Sequence, residues 1–333
     1  MSEPIVSIVT ATRNRTDLLE RALRSIAAQA FDEYEAILVD DGSSAEVQRF
    51  QRDLVSELGG RFRLISSAAP DLPGTGCSAA RNRGAAAARG RFLTFLDDDD
   101  RWIRSDHLQV ASALMDRFEA DYYIAKIQGE EKGEVLLKEV FYEYSLPAGT
   151  GRIVSEVPLV HEISQDELLK MAKHVLIHPD NSIIRRAVFE QVRGFLHRLT
   201  WREDFNLMLR IADVCGRILY RPEIVASYRF ARGDSISFSY DKLEKCLQNL
   251  YGAHHVRTTC KSRAIRNAAR ADQAWTYREI AGLLADQGQP AEAFRYRWQR
   301  LFTFPTFGAL AQLVSTSGDP FRSRDGEGRR APR

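Results

Sequence analysis

The sequence predicts an α/β fold with a mainly parallel central sheet, followed by a C-terminal helical extension. Three observations lead to this fold class. Short apolar runs typical of buried strands alternate with helix-like stretches over residues 1–127. Polar and acidic residues follow several of these runs directly, and the pattern becomes helical after about residue 241. Strands that alternate with helices indicate βαβ units, and therefore parallel pairing.

The N-terminal elements follow one another in a regular order. Strands are predicted over 5–11, 35–40, 62–66, 91–96 and 121–127. Helices are predicted over 17–29, 45–57, 78–88 and 106–119, with Thr16, Ser78 and Ser105 as capping residues for three of them. Serine and threonine are favoured there because their side-chain oxygens accept hydrogen bonds from the first free N–H groups of a helix.

The pattern is less regular in the middle of the chain. Residues 129–165 have no clear periodicity, whereas strands are predicted over 175–177, 182–184, 217–220 and 224–230. Helices are predicted over 187–192, 203–214, 241–260, 265–286 and 290–302. We therefore expect a domain over 1–238, made of halves 1–127 and 128–238, then a helical region over 239–315. The basic tail over 316–333 is expected to be disordered.

Composition narrows the class of protein. The chain has 333 residues, a formal net charge of +2 and four cysteines without a C-x-x-C pair. The cysteine pattern favours a reduced, cytoplasmic setting, and the charge balance offers no basic stripe for nucleic acid. No basic segment leads into an apolar signal sequence, and no run approaches the roughly 20 apolar residues that span a bilayer. The aromatic segment 301–310 suits either a membrane face or, as the favoured interpretation, packing on the preceding helices.

Four consecutive acids, Asp97–Asp100, follow the apolar run 92–96. Adjacent carboxylates repel one another, so a cation among them would stabilise their charged forms. Alternate side chains of an extended segment point the same way, so Asp97 and Asp99 could share one ion while Asp98 turns to another partner. Oxygen ligands suit Mg2+ or Mn2+. A solvated acidic turn is the alternative that this segment alone leaves open.

Three polar segments should meet at one edge of the sheet. Residues 11–15, 40–43 and 97–100 each follow a predicted strand. Ligands of parallel α/β sheets bind outside the carboxyl ends of the strands. The sequence therefore predicts a binding cleft at this edge.

A series of motifs, in this order, resembles the family 2 glycosyltransferases of the GT-A fold over roughly residues 4–235. The motifs are Val6–Arg15, Val39–Ser43, Gly76–Gly84, Phe95–Asp100 and the pair Glu203–Asp204. Each motif is weak alone, but the ordered set is specific. The resemblance implies an inverting transfer of sugar from a nucleoside diphosphate sugar, with 1–127 as the nucleotide-sugar-binding half and 128–238 as the acceptor-binding half.

The resemblance also implies roles for individual residues. The residues expected to line the nucleotide are Ala11, Thr12, Arg13, Asn14 and Arg15. Further donor contacts are implied for Asp41 with the base, Arg81 with the nucleotide-sugar and Asp98 with the ribose or sugar. Asp97 and Asp99 would hold Mn2+ or Mg2+, with Asp99 in direct contact. Asp204 corresponds to the catalytic base.

One family segment departs from its usual form. Members of this family often carry a segment like Y-R-x-H-x-x-N-S, and here Ala231 stands at its histidine position. Arg229 or Arg232 is therefore expected to neutralise the leaving diphosphate. His174 and His178 are four residues apart, but the residues between them predict a strand, which argues against a helical metal pair. Cys77, at a helix start, is interpreted as a packing residue.

The leading functional prediction is a UDP-sugar-dependent transferase acting in polysaccharide biosynthesis on a hydroxyl acceptor. The acceptor is left open among a growing saccharide, a lipid-linked saccharide, a protein and a small molecule. Peripheral contact with the inner membrane face and oligomerisation are also left open. The alternatives are a degenerate nucleotide-sugar-binding scaffold and, less favoured, a sugar nucleotidyltransferase, whose G-x-G-T-R signature is missing after the first strand.

Overall fold

The computed structural model describes residues 3–66, 71, 73–131, 133–135, 151–172, 177–230 and 241–314. The chain divides into two compact units, Met1–Ser239 and Tyr240–Arg333. The first unit is built on a sheet, and the described part of the second is helical. The predicted α/β class with C-terminal helices is therefore confirmed. The predicted tail, 316–333, lies outside the described residues.

The described strands form one sheet of 11 strands. They are β1 Val6–Thr12, β2 Tyr34–Asp40, β3 Phe62–Ser66, β4 Phe92–Phe95, β5 Arg101–Trp102, β6 Tyr122–Glu131, β7 Glu134–Val135, β8 Arg152–Glu156, β9 Leu159–Ile163, β10 Ser182–Arg185 and β11 Ile218–Arg229. The spatial order is β3-β2-β1-β4-β10-β6-β11-β9-β8, with β5 paired to β11 and β7 paired to β6.

The sheet is mixed, with a parallel core. Strands β3, β2, β1 and β4 are all parallel, whereas β10 is antiparallel to both β4 and β6. Strand β11 runs parallel to β6 with register shifts between Arg221 and Ala226, so the two strands predicted over 217–220 and 224–230 are one bulged strand. The irregular region 129–165 includes the β8–β9 hairpin at the sheet edge.

Seven helices of the first unit are described. They are α1 Asp17–Ala27, α2 Ala45–Leu58, α3 Cys77–Ala86, α4 His107–Arg117, α5 Gln165–Met171, α6 Arg186–Gln191 and α7 Glu203–Val214. A short 3-10 turn, Pro179–Asn181, leads into β10. Helix α7 has the predicted bounds. Most of the strand predicted over 175–177 lies outside the described residues, and so does His174.

The predicted helix caps differ from the observed ones. Thr16 is at the N-cap position of α1 but makes no side-chain cap hydrogen bond. Helix α3 begins after Gly76, and Ser78 lies inside it, where its hydroxyl donates to the carbonyl of Leu199 at 2.8 Å. The N-cap of α4 is Asp106, one residue beyond Ser105. The caps at Ser78 and Ser105 were therefore wrong by one or two residues.

Helix α3 packs closely on β1 and β2 at Gly84. A Cβ atom added at this glycine would lie 2.4 Å from Cγ1 of Val9 and 2.9 Å from Cγ2 of Val39. Both valines are fully buried and belong to the parallel core. Because α3 also carries Arg81, this close approach fixes the distance of Arg81 from the ends of the strands.

We expect Gly84→Ala to lower the free energy of unfolding by about 1–3 kcal/mol, since overpacking forces rigid neighbours apart. Urea denaturation followed by circular dichroism measures the change. Gly282→Ala is the matched control, because Gly282 lies in a helix and no atom would come within 4 Å of the added Cβ. That control should gain about 0.5–1 kcal/mol through helix propensity. Equal stability of Gly84→Ala and wild type would contradict the close packing.

The second unit contains four described helices, α8 Lys242–Thr259, α9 Arg263–Asp286, α10 Pro290–Thr303 and α11 Phe307–Val314. Three of them confirm the predicted helices, with ends that move by up to two residues. Tyr277 of α9 and Tyr296 of α10 pack with ring centroids 6.1 Å apart. Across the part of the chain that the structure describes, every helix is too short or too polar to span a bilayer.

Candidate active site

The carboxyl ends of three parallel strands bring the predicted polar segments to one edge of the sheet. Thr12 at the end of β1 pairs in register with Asp40 at the end of β2. On the other side of β1, Val9 pairs with Phe95, the last residue of β4. The segments that follow β1, β2 and β4 therefore lie side by side, as the sequence predicts.

The segment after β1 contacts the acidic run through hydrogen bonds and ion pairs. The Thr12 hydroxyl donates to Oδ2 of Asp98 at 2.7 Å. The Arg15 guanidinium lies 2.9 Å from Oδ1 of Asp98 and 2.7 Å from Oδ2 of Asp99. Burial raises the pKa of Asp98 to about 7, although Arg15 acts in the opposite direction. Burial likewise raises the pKa of Asp99.

The same segment is also tied to the loop after β2. Asn14 has a positive φ of 52°, a conformation that asparagine tolerates better than most residues. Its backbone N–H donates to the Ser43 hydroxyl and its side-chain oxygen accepts from the Ser44 N–H, both at 2.8 Å. Ala11 is half-buried within β1, and Arg13 is exposed beside it. All five predicted residues thus belong to one ordered edge segment.

Asp41 organises the loop that precedes α3. Its Oδ1 accepts from the N–H and the hydroxyl of Thr75 at 2.8 and 2.7 Å, and its Oδ2 accepts from the Gly76 N–H at 2.8 Å. Gly74 lies so close that a Cβ there would be 2.5 Å from Oδ2 of Asp41. The carboxylate is therefore buried and held rigidly at the predicted edge.

Arg81 links the acidic run to the start of α7. It is 3% exposed, and its guanidinium contacts Asp97 on one side and Oε1 of Glu203, at 3.0 Å, on the other. Burial alone would lower the pKa of Arg81, but Asp97 and Glu203 outweigh burial and raise it. Burial raises the pKa of Glu203, and Arg81 offsets part of that effect. Segments far apart in sequence are thus joined by one buried cation.

Four side chains form a compact group of candidate metal ligands: Asp97, Asp100, His178 and Asp180. One donor atom from each lies within 4.8 Å of the others. Ligands on opposite sides of an ion at about 2.1 Å are about 4.2 Å apart, so small side-chain shifts would let the group enclose one. Asp180 also accepts from the Asp97 N–H at 3.0 Å, which fixes the group to the end of β4.

The electrostatics of this ligand group suit a cation. Burial and the nearby Asp180 raise the pKa of Asp100, and Oδ2 of Asp100 has no hydrogen-bond partner among the described residues. Burial would lower the pKa of His178, but Asp180 at 3.0 Å and Asp97 raise it to about 10. Burial would raise the pKa of Asp180, yet His178 lowers it to about 2. The buried Asp100 and Asp180 and the half-buried Asp97 thus surround one imidazole. A divalent ion bound here would displace protons from the group, because metal ligands bind in their deprotonated forms.

Asp204 is the second residue of α7 and is half-buried. Its Oδ1 accepts from the Phe205 N–H at 2.7 Å. With Tyr122, His178 and Ser182 it lines a small pocket whose remaining wall is mostly apolar. Asp204 therefore adjoins the ligand group through His178 and the Arg81 network through Glu203.

Sequence reasoning found only part of this arrangement. Asp97 belongs to the ligand group, whereas Asp99 pairs with Arg15 outside it. The spacing argument against a metal role for His178 considered only a helical pair with His174. In the structure His178 approaches Asp97 from the start of the turn Pro179–Asn181, as one of four candidate ligands. Asp180 was missed, since it lies 83 residues from Asp97 and carries no motif.

The segment near the end of the first unit is partly described. The backbone N–H of Arg229 donates to Oδ1 of Asp100 at 2.6 Å, which places this residue beside the ligand group. Ala231 and Arg232 lie outside the described residues. The arginine role at the leaving diphosphate therefore stays a prediction.

Comparison with known proteins agrees with this fold. The model of glycosyl transferase family 2 matches residues 7–193, more than half of the chain. The chain therefore belongs to glycosyltransferase family 2.

Individual relatives show how far this likeness extends. The succinoglycan biosynthesis protein ExoW of Rhizobium meliloti is 31% identical over 182 residues, which are 53% of this chain and 53% of ExoW. The chain spans between about a third and a half of the length of several curated relatives.

Two solved structures share the fold. S. aureus TarS 1-349 in complex with UDP-GlcNAc superposes with a TM-score of 0.65 at 17% identity, covering 93% of this chain and 88% of that one. The mannosyltransferase PcManGT of Pyrobaculum calidifontis, in complex with GDP-Man and Mn2+, has a TM-score of 0.56 at 16% identity, covering 95% and 80%. The predicted GT-A fold is confirmed.

Proposed function

We propose that the chain is an inverting glycosyltransferase that moves a sugar from a nucleoside diphosphate sugar, expected to be a UDP-sugar, to an acceptor hydroxyl. One observation carries the proposal. Arg81 joins Asp97 of the acidic run to Glu203, the neighbour of Asp204. Arg81 and Asp97, which suit a diphosphate and its metal ion, therefore lie next to Asp204, whose carboxylate is suited to accept a proton.

The donor side of the site uses the ends of the first two strands. Ala11, Thr12, Arg13, Asn14 and Arg15 would line the nucleotide, and Asp41 would accept a hydrogen bond from the base. Arg81 would face the nucleotide-sugar, and Asp98 the ribose or sugar. The rigidity of Asp41, held by Thr75 and Gly76, supports a role in recognition, because a fixed acceptor loses little entropy on binding. Structural relatives bound to UDP-GlcNAc and GDP-Man support a nucleotide-sugar donor.

Asp97 belongs to both sets of ligands proposed for the metal, the group seen in the structure and the pair that the family resemblance implies. Its neighbours in the ligand group would be Asp100, His178 and Asp180. Asp99, the ligand that the family resemblance implies, would first have to release Arg15, which a bound diphosphate could attract away. When bound, Mn2+ or Mg2+ neutralises charge that builds up on the departing diphosphate. The imidazole of His178 would replace the histidine missing at Ala231.

Asp204 is the proposed general base. Its carboxylate would take the proton of the acceptor hydroxyl as that oxygen attacks the anomeric carbon and the bond to the diphosphate breaks. Attack opposite the leaving group inverts the configuration. Asp204 is held in the first turn of α7, where its Oδ1 accepts from the Phe205 N–H at 2.7 Å. Arg229 would stabilise the leaving group from the side of Asp100.

We propose that the acceptor is a growing saccharide of a polysaccharide pathway, free or lipid-linked, with a protein acceptor as the remaining alternative. The similarity to ExoW, named for succinoglycan biosynthesis, supports this choice.

The proposed function is tested by measuring nucleoside diphosphate release from UDP-, GDP-, dTDP- and CDP-sugars in the presence of Mn2+, alongside a thermal-shift screen of the same donors. We expect one donor class, UDP-sugars, both to raise the melting temperature and to be turned over. Binding raises stability in proportion to occupancy. Binding without turnover across a panel of saccharide acceptors would favour a non-catalytic scaffold, and release of diphosphate from a nucleoside triphosphate would favour a nucleotidyltransferase.

A further inference from the structure

Helices α10 and α11 carry a row of aromatic side chains. Phe294 packs edge-on against Trp298, with ring centroids 6.2 Å apart, and Trp298 stacks on Phe302 at 5.4 Å. These residues are four apart in sequence, so they share one face of α10. Phe304, Phe307 and Leu310 follow them. We call these six residues the aromatic face.

Five of the six residues of the aromatic face are exposed, and Phe294 is half-buried. Phe302 is 72% exposed and Phe307 is 94% exposed, whereas Ala293 and Ala309 on the packed sides are buried. Exposed apolar side chains that cluster in this way typically mark an interaction surface. Packing on the preceding helices, the favoured interpretation of this segment from sequence, therefore applies to the small residues and not to the aromatic ones.

Charge indicates which kind of surface the aromatic face would meet. Residues 241–333 contain 16 basic and 9 acidic side chains, whereas residues 1–240 contain 31 basic and 36 acidic ones. Arginines also alternate with the aromatic residues along α10, at Arg295, Arg297 and Arg300. The C-terminal unit thus combines exposed aromatic rings with a net positive charge.

We propose that the aromatic face docks on an anionic lipid membrane, with α10 and α11 lying in the headgroup region. Helices with Trp, Phe and Leu on one face and arginine beside it bind in the plane of a membrane interface. Arginine can bury its aliphatic stem among the lipid chains while its guanidinium reaches the phosphates. A second copy of this chain would bring two positively charged units together, so charge favours lipid over self-association. This inference does not depend on the proposed function.

The test is co-sedimentation of the full chain with vesicles of phosphatidylcholine, either pure or mixed with phosphatidylglycerol. We expect binding to the mixed vesicles, weakened at high salt because the charges are then screened. The double variant Phe302→Ser/Phe307→Ser should bind at least about tenfold more weakly, since two large apolar side chains no longer enter the interface. Val157→Ser is the matched control, because Val157 is 93% exposed on the first unit and should not affect binding.

Circular dichroism of each variant establishes that it is folded, so that weak vesicle binding is not caused by unfolding. Unchanged binding by the double variant would overturn the proposal, as would equal binding to neutral and anionic vesicles. Absence of vesicle binding together with a dimer that the double variant loses would assign the aromatic face to a second copy instead. Sedimentation velocity measures that dimer.

Discussion

Replacing Asp204 by asparagine is expected to slow sugar transfer by about 100- to 10,000-fold, the range that general-base catalysis contributes. The amide has nearly the size of the carboxylate but cannot take the proton of the acceptor hydroxyl. Donor binding should change little, because the donor contacts lie on Asp41, Arg81 and the segment after β1. Single-turnover rates and donor titrations separate the two effects.

Asp213→Asn is the matched control for this experiment. Asp213 lies at the other end of α7, so the same substitution there tests for a general effect of lost charge on the helix. Loss of Asp204 from the first turn should cost about 0.3–1 kcal/mol of stability, which a folded enzyme tolerates. A transfer rate equal to that of wild type in Asp204→Asn would show that another group acts as the base.

Asp97→Asn is expected to weaken Mn2+ binding at least about tenfold and to lower transfer with it, because outer and inner ligands of metal sites commonly contribute 10- to 100-fold. Asp97 belongs to both proposed ligand sets, so this expectation holds for either. Calorimetric titration with Mn2+ alone measures binding without relying on activity. Asp32→Asn is the control, since Asp32 is an exposed carboxylate paired with Arg61 at a distant surface.

Two further variants test which residues hold the ion together with Asp97: the ligand group with His178, or Asp99. His178→Asn should weaken Mn2+ binding in the absence of nucleotide if the ligand group holds the ion. Asp99→Asn should matter chiefly when UDP is present, since only then would Arg15 be drawn away from Asp99. Unchanged Mn2+ binding in Asp97→Asn would contradict the proposed metal site as a whole.

The parts of the site that could be predicted from sequence are those formed by short segments that directly follow a predicted strand. The acidic run 97–100, the segment 11–15 and Asp41 each follow a strand directly, so the parallel arrangement of β1, β2 and β4 was enough to bring them to one edge. The bounds of α7, and with them Asp204 in its first turn, also followed from local periodicity. The helix caps at Ser78 and Ser105 were misplaced by one or two residues, because local sequence signals place helix ends only to within that distance.

The α/β class, the C-terminal helices and the chemistry available at the strand ends could be predicted from local patterns, because these features depend on periodicities over a few residues. The folded chain was needed to see that Arg81 joins Asp97 to Glu203, and that His178 and Asp180 complete a group of candidate ligands. The positions of His178 and Asp180 beside Asp97 depend on β10, which directly follows them, entering the sheet antiparallel beside β4. Such a pairing depends on burial summed over the whole sheet, so no short stretch of the chain specifies it.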